Sequence, residues 1–353
     1  MTRTDGLACA ADGVSLECYL QDWESKATGR ASLASVITAL AQAGMVLANL
    51  IARGPLSCHI FGAPAEELEI DRRHLDALAA RLVMNALRKT RTAFVASENE
   101  GAILSFDAGG DLAVAVNPLD ASSNVDANLA LATLFSIFPA SREGATASFF
   151  RKGADQLAAG YIIYGPHTAL LLSFGDGVAH FVLDPTVQKF RLIAENIRIA
   201  PKTREIAINA ANYRHWRPPV RAFIDDCAEG AAGPCGSDFN MRWFACLVGE
   251  AHRILMRGGV YLYPADRRPG FENGRLRLLY DAFPIAMLVE QADGAATDGA
   301  ERILSKNITT LDQRTALVFG SAEKVARIAA YHSDAQFRCA QAPLFAERGL
   351  FHA

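Results

Sequence analysis

The segment Asn117-Pro118-Leu119-Asp120-Ala121-Ser122-Ser123-Asn124-Val125-Asp126 places carboxylates, two hydroxyls and a run of backbone amides where a hydrophobic strand runs out. Amides so placed suit a phosphate, and carboxylates suit a hard divalent cation. The same residues also make an ordinary proline-started turn with an Asx or serine cap. Two further acids sit in comparable places. Glu98 follows the short β-prone run AFVAS, and Asp281 follows the apolar LRLLY and opens the helix carrying Pro284 to Val289. Three acids at strand ends can converge on one rim of a sheet, where hard-cation sites are built. Taken singly, each such acid is more often a helix cap or a solvated turn residue.

The elements that must position these acids alternate between helix and strand. Residues 32–52 carry apolar side chains at helical spacing up to Gly54-Pro55, and a second amphipathic helix over about 71–89 carries Asp76. Strands are predicted at 93–97, 111–117 and 129–138, a hairpin at 169–184, and a further strand at about 190–199. Pro201 marks the expected boundary between an N-terminal domain, 1–200, and a C-terminal domain, 201–353. Beyond it INAAN reads as strand, 239–257 as a helix stopped by Gly258-Gly259, and GVYLYPA and LRLLYD as strands. A helix at 284–292, a strand at 317–321 and a closing helix to about 333 complete a layered α/β pattern.

Net charge is −3, with 51% hydrophobic and 21% charged residues, which fits a soluble globular chain. No overall field favours nucleic acid or an anionic membrane, so a phosphate ligand must be held by local clusters. The seven cysteines show no paired spacing, and reduced thiols in the cytoplasm are the expectation. The N-terminus lacks the apolar core of a secretory signal, and the apolar stretch Leu129 to Phe138 is too short to span a bilayer.

Together these segments resemble the lithium-sensitive, metal-dependent sugar-phosphate phosphatases, and more closely class I fructose-1,6-bisphosphatase. The supporting stretches are HLDALAARLVMNAL, VASE, NPLDASSNVD, LATLFSIF, AAGYIIYG, AHRILMRGGVYLYPA and NGRLRLLYD, spanning about residues 26 to 333. The resemblance implies a two-domain, layered α-β-α-β-α sandwich that removes the 1-phosphate of fructose 1,6-bisphosphate. It implies two or more Mg²⁺ ions, with Mn²⁺ as a substitute, held by Glu98, Asp120, Asp281 and the Leu119 carbonyl, with Asn117 at a further ligand position. Asp76 and Glu98 match catalytic positions, Asp76 as a general base. The phosphate would lie against Asp120 and the amides of Ala121, Ser122 and Ser123. Asn209, Tyr263 and Arg275 match residues that grip the 6-phosphate, Arg277 one near the sugar, and Arg242 one that reaches in from a neighbouring subunit of a homotetramer.

The chain departs from that family where it matters chemically. Asn117 replaces an aspartate, Asn99 a second glutamate, Ala121 the loop glycine, and Asp281 a glutamate. Two lost carboxylates open a second reading, an impaired paralogue that binds sugar phosphates or pairs with an active subunit. A third is hydrolysis of sedoheptulose 1,7-bisphosphate. The AMP-binding Lys-Tyr pair and arginine of inhibited members are replaced by Asp111-Leu112 and Pro139, although Thr28-Gly29 is kept. The allosteric region is therefore expected to be vestigial, with little or no AMP inhibition. The cysteine-bearing insertion of light-regulated chloroplast members is missing, so no thiol control is expected.

Overall fold

In this computed structural model, residues 13–54 and 72–334 are described. Among the described residues three helices come first: α1 (Leu16–Ser25), α2 (Ala31–Arg53) and α3 (Arg72–Leu87). Eight strands follow: β1 (Thr92–Ser97), β2 (Ile103–Ser105), β3 (Leu112–Asp120), β4 (Leu131–Pro139), β5 (Ala158–Tyr164), β6 (Thr168–Ser173), β7 (Ala179–Asp184) and β8 (Lys189–Ala194). A short helix, α4 (Ala145–Phe149), interrupts them. They form one sheet in the order β2-β1-β3-β4-β5-β6-β7-β8, in which only β1 and β3 run parallel.

The second half contributes β9 (Glu205–Ala207), α5 (Pro218–Ala228), β10 (Asn240–Met241), α6 (Leu247–Arg257) and β11 (Val260–Tyr263). It continues through β12 (Leu276–Arg277), α7 (Phe283–Gln291), β13 (Ala295–Thr297), β14 (Arg314–Thr315), β15 (Leu317–Gly320) and α8 (Ala322–Ser333). Five of these strands make a sheet in the order β10-β9-β11-β15-β13, and β12 pairs with β14 alone.

Strand alternation sets the layers. In β3, Val114 and Val116 join the core beneath α1, α2 and α3, while Ala113 and Ala115 face the core holding α6 and α7. Tyr261 and Phe319 of the smaller sheet close that second core. Its opposite face presents Ile206, Val260, Leu262 and Val318 to Val220, Phe223 and Ile224 of α5 and to Val325 and Ile328 of α8. The result is the expected five-layer α-β-α-β-α sandwich. Helix α2 is long and apolar enough to cross a membrane by length and composition, yet 56% of that apolar window is buried here. It packs so closely on β5 that a Cβ at Gly44 would meet the Ile162 side chain at 2.4 Å.

Several local expectations need correction. INAAN leaves the strand after Ala207, because the Asn209 side chain accepts from the Ala211 N–H and caps a 3-10 turn over Ala210–His215. The helix expected from 239 begins only at Leu247; residues 240–241 pair with β9, and Cys246 caps the helix through the Gly249 N–H. LRLLYD is strand only at Leu276–Arg277, and Leu278–Ala282 wind into a π-helical turn. The strand expected to 199 ends at Ala194, and Leu129 lies outside β4 with 45% of its surface exposed.

Candidate active site

Three acids come together where the large sheet meets α7. Glu98 lies just past β1, its N–H donating to the Val116 carbonyl of β3 at 3.0 Å. Asp120 ends β3, and because β1 and β3 run parallel, both acids emerge at the same edge. Asp281 sits in the π-helical turn that feeds α7, where it is only 6% exposed. The Arg277 N–H donates to Asp281 Oδ2 at 2.8 Å, and Asn117 Nδ2 donates to Asp281 Oδ1 at 3.3 Å. Such turns are rare and gather at functional sites.

Burial first, and then the charge of Asp281, pushes Glu98 up to about 7 against the pull of Arg277 and Arg314. Burial, then Asp281 and Glu98, pushes Asp120 up to about 8, opposed by the Ala121 N–H. Burial also raises Asp281, against the Arg277 N–H and the Asn117 amide. Mutually repelling acids so far withdrawn from solvent call for nearby positive charge. The chain supplies part of it. Arg277 Nε lies 3.0 Å from Glu98 Oε1, and Arg277 is paired across β12 and β14 with Arg314.

The donor set fits a hard cation: three carboxylates, with Asp120 Oδ2 buried and lacking a hydrogen-bond partner. Among the described residues no three Asp, Glu, His or Cys side chains are drawn into a ready coordination cage. The acids are close enough to act on one another's ionisation, with Arg277 and Asn117 as their immediate partners. Leu119 buries its side chain in the core beneath the N-terminal helices, which leaves its backbone to the site.

The loop after β3 is held at both ends. Thr133 Oγ1 donates to the Pro118 carbonyl at 2.8 Å, and the Asn124 N–H donates to the Ala121 carbonyl at 2.8 Å. Between them Ala121 adopts φ 58° and ψ 29°, the left-handed region that favours glycine. Ser122 is buried and Ser123 exposed. Ser122 Oγ donates to Asp76 Oδ2 at 3.2 Å, which joins α3 to the loop. Asp76 also lines a cleft of about 460 Å³ with Arg81, Asn99 and Glu100.

In the second half, Asn209 and Tyr263 line one small pocket with Asn212, Trp243, Asp266 and Arg268. Arg275 and Arg242 do not line it. The Arg275 guanidinium lies 5.4 Å from the centre of the Phe271 ring, and Arg268 lies 4.2 Å from the same ring. Arg242 Nε is 3.7 Å from Glu205 Oε1, with its side chain 56% exposed. Arg268 is held by several hydrogen bonds to buried Asp266; burial pushes that acid up, but the Arg268 contacts prevail and hold it below the usual range. Arg268 and Arg314 were not singled out from sequence. The Arg-Arg-Pro-Gly-Phe run over 267–271 is the signal that could have exposed the first.

The chain is similar to known proteins over most of its length. The profile "Fructose-1-6-bisphosphatase, N-terminal domain" matches residues 16–195, and its C-terminal counterpart matches 199–333. A class 1 fructose-1,6-bisphosphatase of Paracoccus denitrificans is 50% identical over 321 residues, 91% of this chain and 96% of that protein. This chain belongs to the class 1 fructose-1,6-bisphosphatase family. Another member, from Xanthobacter autotrophicus, is 44% identical over 97% of this chain and 93% of that protein. The crystal structure of Leishmania major fructose-1,6-bisphosphatase in holo form superimposes with a TM-score of 0.80 at 29% identity, covering 91% of this chain and 99% of that one. Of the family departures read from sequence, Asn117 and Asp281 bond to each other, Ala121 takes up the left-handed turn, and Asn99 faces the Asp76 cleft.

Proposed function

We propose that this chain hydrolyses the 1-phosphate of fructose 1,6-bisphosphate, releasing fructose 6-phosphate and inorganic phosphate. The observation that carries the reading is the trio Glu98, Asp120 and Asp281, with Asp120 Oδ2 buried and unpartnered beside a loop of amides and hydroxyls. The names of the class 1 relatives support the substrate. Glu98, Asp120 and Asp281, with the Leu119 carbonyl and the Asn117 side-chain oxygen, would hold two or more Mg²⁺ ions, or Mn²⁺. Bound there, such ions neutralise phosphate charge, stabilise the leaving oxygen and lower the pKa of water.

The chain's own groups do the rest. Asp76, steadied by the Ser122 hydroxyl, takes the proton of the attacking water. The amides of Ser122 and Ser123 orient the 1-phosphate, while that of Ala121 is turned on Asp120. Arg277 balances Glu98 and approaches the sugar side. Asn209, Tyr263 and Arg268 seat the 6-phosphate, with Asp266 holding Nε and Nη2 of Arg268 and leaving Nη1 for the ligand. Arg275 stands one aromatic ring away. Arg242, exposed beside edge strand β10, reaches a neighbour's site in a homotetramer.

The test is product analysis with purified protein over Mg²⁺ and Mn²⁺ titrations, offering fructose 1,6-bisphosphate and sedoheptulose 1,7-bisphosphate in parallel, with light scattering for subunit number. Preferential release of fructose 6-phosphate supports the reading. A silent wild type that gains turnover on Asn117→Asp, alone or with Asn99→Glu, makes the chain a disabled phosphatase instead.

A further inference from the structure

Cys227 lies in the last turn of α5, and Cys235 lies in the loop that follows it. Eight residues apart in sequence, their sulfurs stand 3.9 Å apart, and both thiols are free. A disulfide needs about 2.05 Å, so the two sulfurs must close by a little under 2 Å. The chain between them can give. It contains Gly230 and Gly233, and Gly236 follows at once, with Gly230 and Gly236 at positive φ. Cys227 is 3% exposed in the core between α5 and α8, whereas Cys235 is partly open to solvent. The two thiols therefore differ in access. Lys324 and Arg327 of α8 pull the Cys227 thiol down, against the larger push of burial. Burial, with Cys235 beside it, pushes Cys227 up to about 12, and its access to solvent makes Cys235 the sulfur that a small oxidant reaches first.

We propose that Cys227 and Cys235 form a redox-reversible disulfide within one subunit, a modification site that tethers the loop leading to β10 and Arg242. The oxidant is a low-molecular-weight disulfide such as oxidised glutathione. The Cys235 thiolate attacks one sulfur of that disulfide, forms a mixed disulfide and releases one glutathione thiolate, which takes up the proton Cys235 lost. Cys227 then gives up its proton and attacks the Cys235 sulfur. The mixed disulfide breaks, the protein disulfide forms, and a second reduced glutathione leaves with that proton. Two protein thiols are oxidised and one small disulfide is reduced. This pair stands apart from the acid cluster, and the proposal does not depend on the phosphatase reading.

The experiment is to incubate the full-length, reduced protein with a graded series of oxidised-to-reduced glutathione, quench by alkylation and map the cysteines by peptide mass spectrometry. The expected result is a Cys227–Cys235 cross-linked peptide that accumulates with oxidant and vanishes on treatment with dithiothreitol. Cys227→Ser should instead retain glutathione on Cys235, and Cys235→Ser should leave Cys227 unmodified. Circular dichroism checks that both variants fold. A wild type that keeps glutathione on Cys235, or leaves both thiols free while other cysteines oxidise, overturns the proposal.

Discussion

Asn117 donates its side-chain amide to the carboxylate of Asp281 across 3.3 Å, linking β3 to the turn before α7. An aspartate at 117 would instead set two carboxylates against each other in a buried site. Asn117 therefore lowers the negative charge of the site by one and makes it tolerable without a cation. The expected outcome for Asn117→Asp is a lower melting temperature in chelator, since a buried like charge is costly. Added Mg²⁺ should reverse the loss and raise the melting temperature more steeply than in wild type. Thermal scans over a Mg²⁺ series check this; identical curves for the two proteins would count against Asn117 as the charge-setting position.

Ala121 holds φ 58° with a Cβ that this region disfavours by about 1–2 kcal/mol. Ala121→Gly should recover part of that, about 0.5–1 kcal/mol after the entropy cost of glycine. Urea unfolding measures it. A destabilised variant would mean that the alanine methyl makes a compensating contact.

Much of this architecture was legible because strand alternation and helical spacing are strong signals. The run 111–117 reads as strand, and Val114 and Val116 face one core while Ala113 and Ala115 face the other. The acids at strand ends were equally visible. Three things were not. The π-helical turn around Asp281 depends on a carboxylate accepting from the Arg277 N–H, which apolar periodicity does not encode. For Arg268 the run over 267–271 is a weak signal, and only the fold seats it against Asp266 in the pocket shared by Asn209 and Tyr263. Cys227 and Cys235 follow no recognised spacing, and only the turn after α5 brings their sulfurs together.

Arg268 supplies the charge in the second pocket. Removing it alone strands the buried Asp266 carboxylate, so the cleaner variant joins Arg268→Gln with Asp266→Asn. That pair should raise KM for the bisphosphate about 10- to 100-fold and leave kcat within about 2-fold, the signature of lost uniform binding. Steady-state kinetics decide. A fall in kcat at constant KM would place Arg268 outside substrate binding.

His252 is pushed down to about 4, first by burial and then by His180 and His167, and Tyr161 Oη lies 3.1 Å from its Nδ1. His180 is lowered as well, and its Nε2 is buried without a partner. Both rings hold protons less tightly folded than unfolded, so the unfolded chain takes up more protons as pH falls. Stability should be full above about 6.5 and decline toward about 4, by up to about 3 kcal/mol from His252. His252→Gln should flatten that decline in urea titrations between pH 6.5 and 4.5. An unchanged slope would remove His252 as its source.

The measurement closest to the centre is phosphate release from fructose 1,6-bisphosphate by wild type and Asp120→Asn over a Mg²⁺ series, with unfolding monitored alongside. Wild type should turn over in a metal-dependent way. Asp120→Asn should lose about 100-fold or more while remaining folded, because the exchange removes a carboxylate whose Oδ2 is buried without a hydrogen-bond partner, and keeps its shape. A variant as active as wild type, or a wild type silent at every metal concentration, would contradict the assignment of this acid cluster as a working metal-dependent phosphatase site.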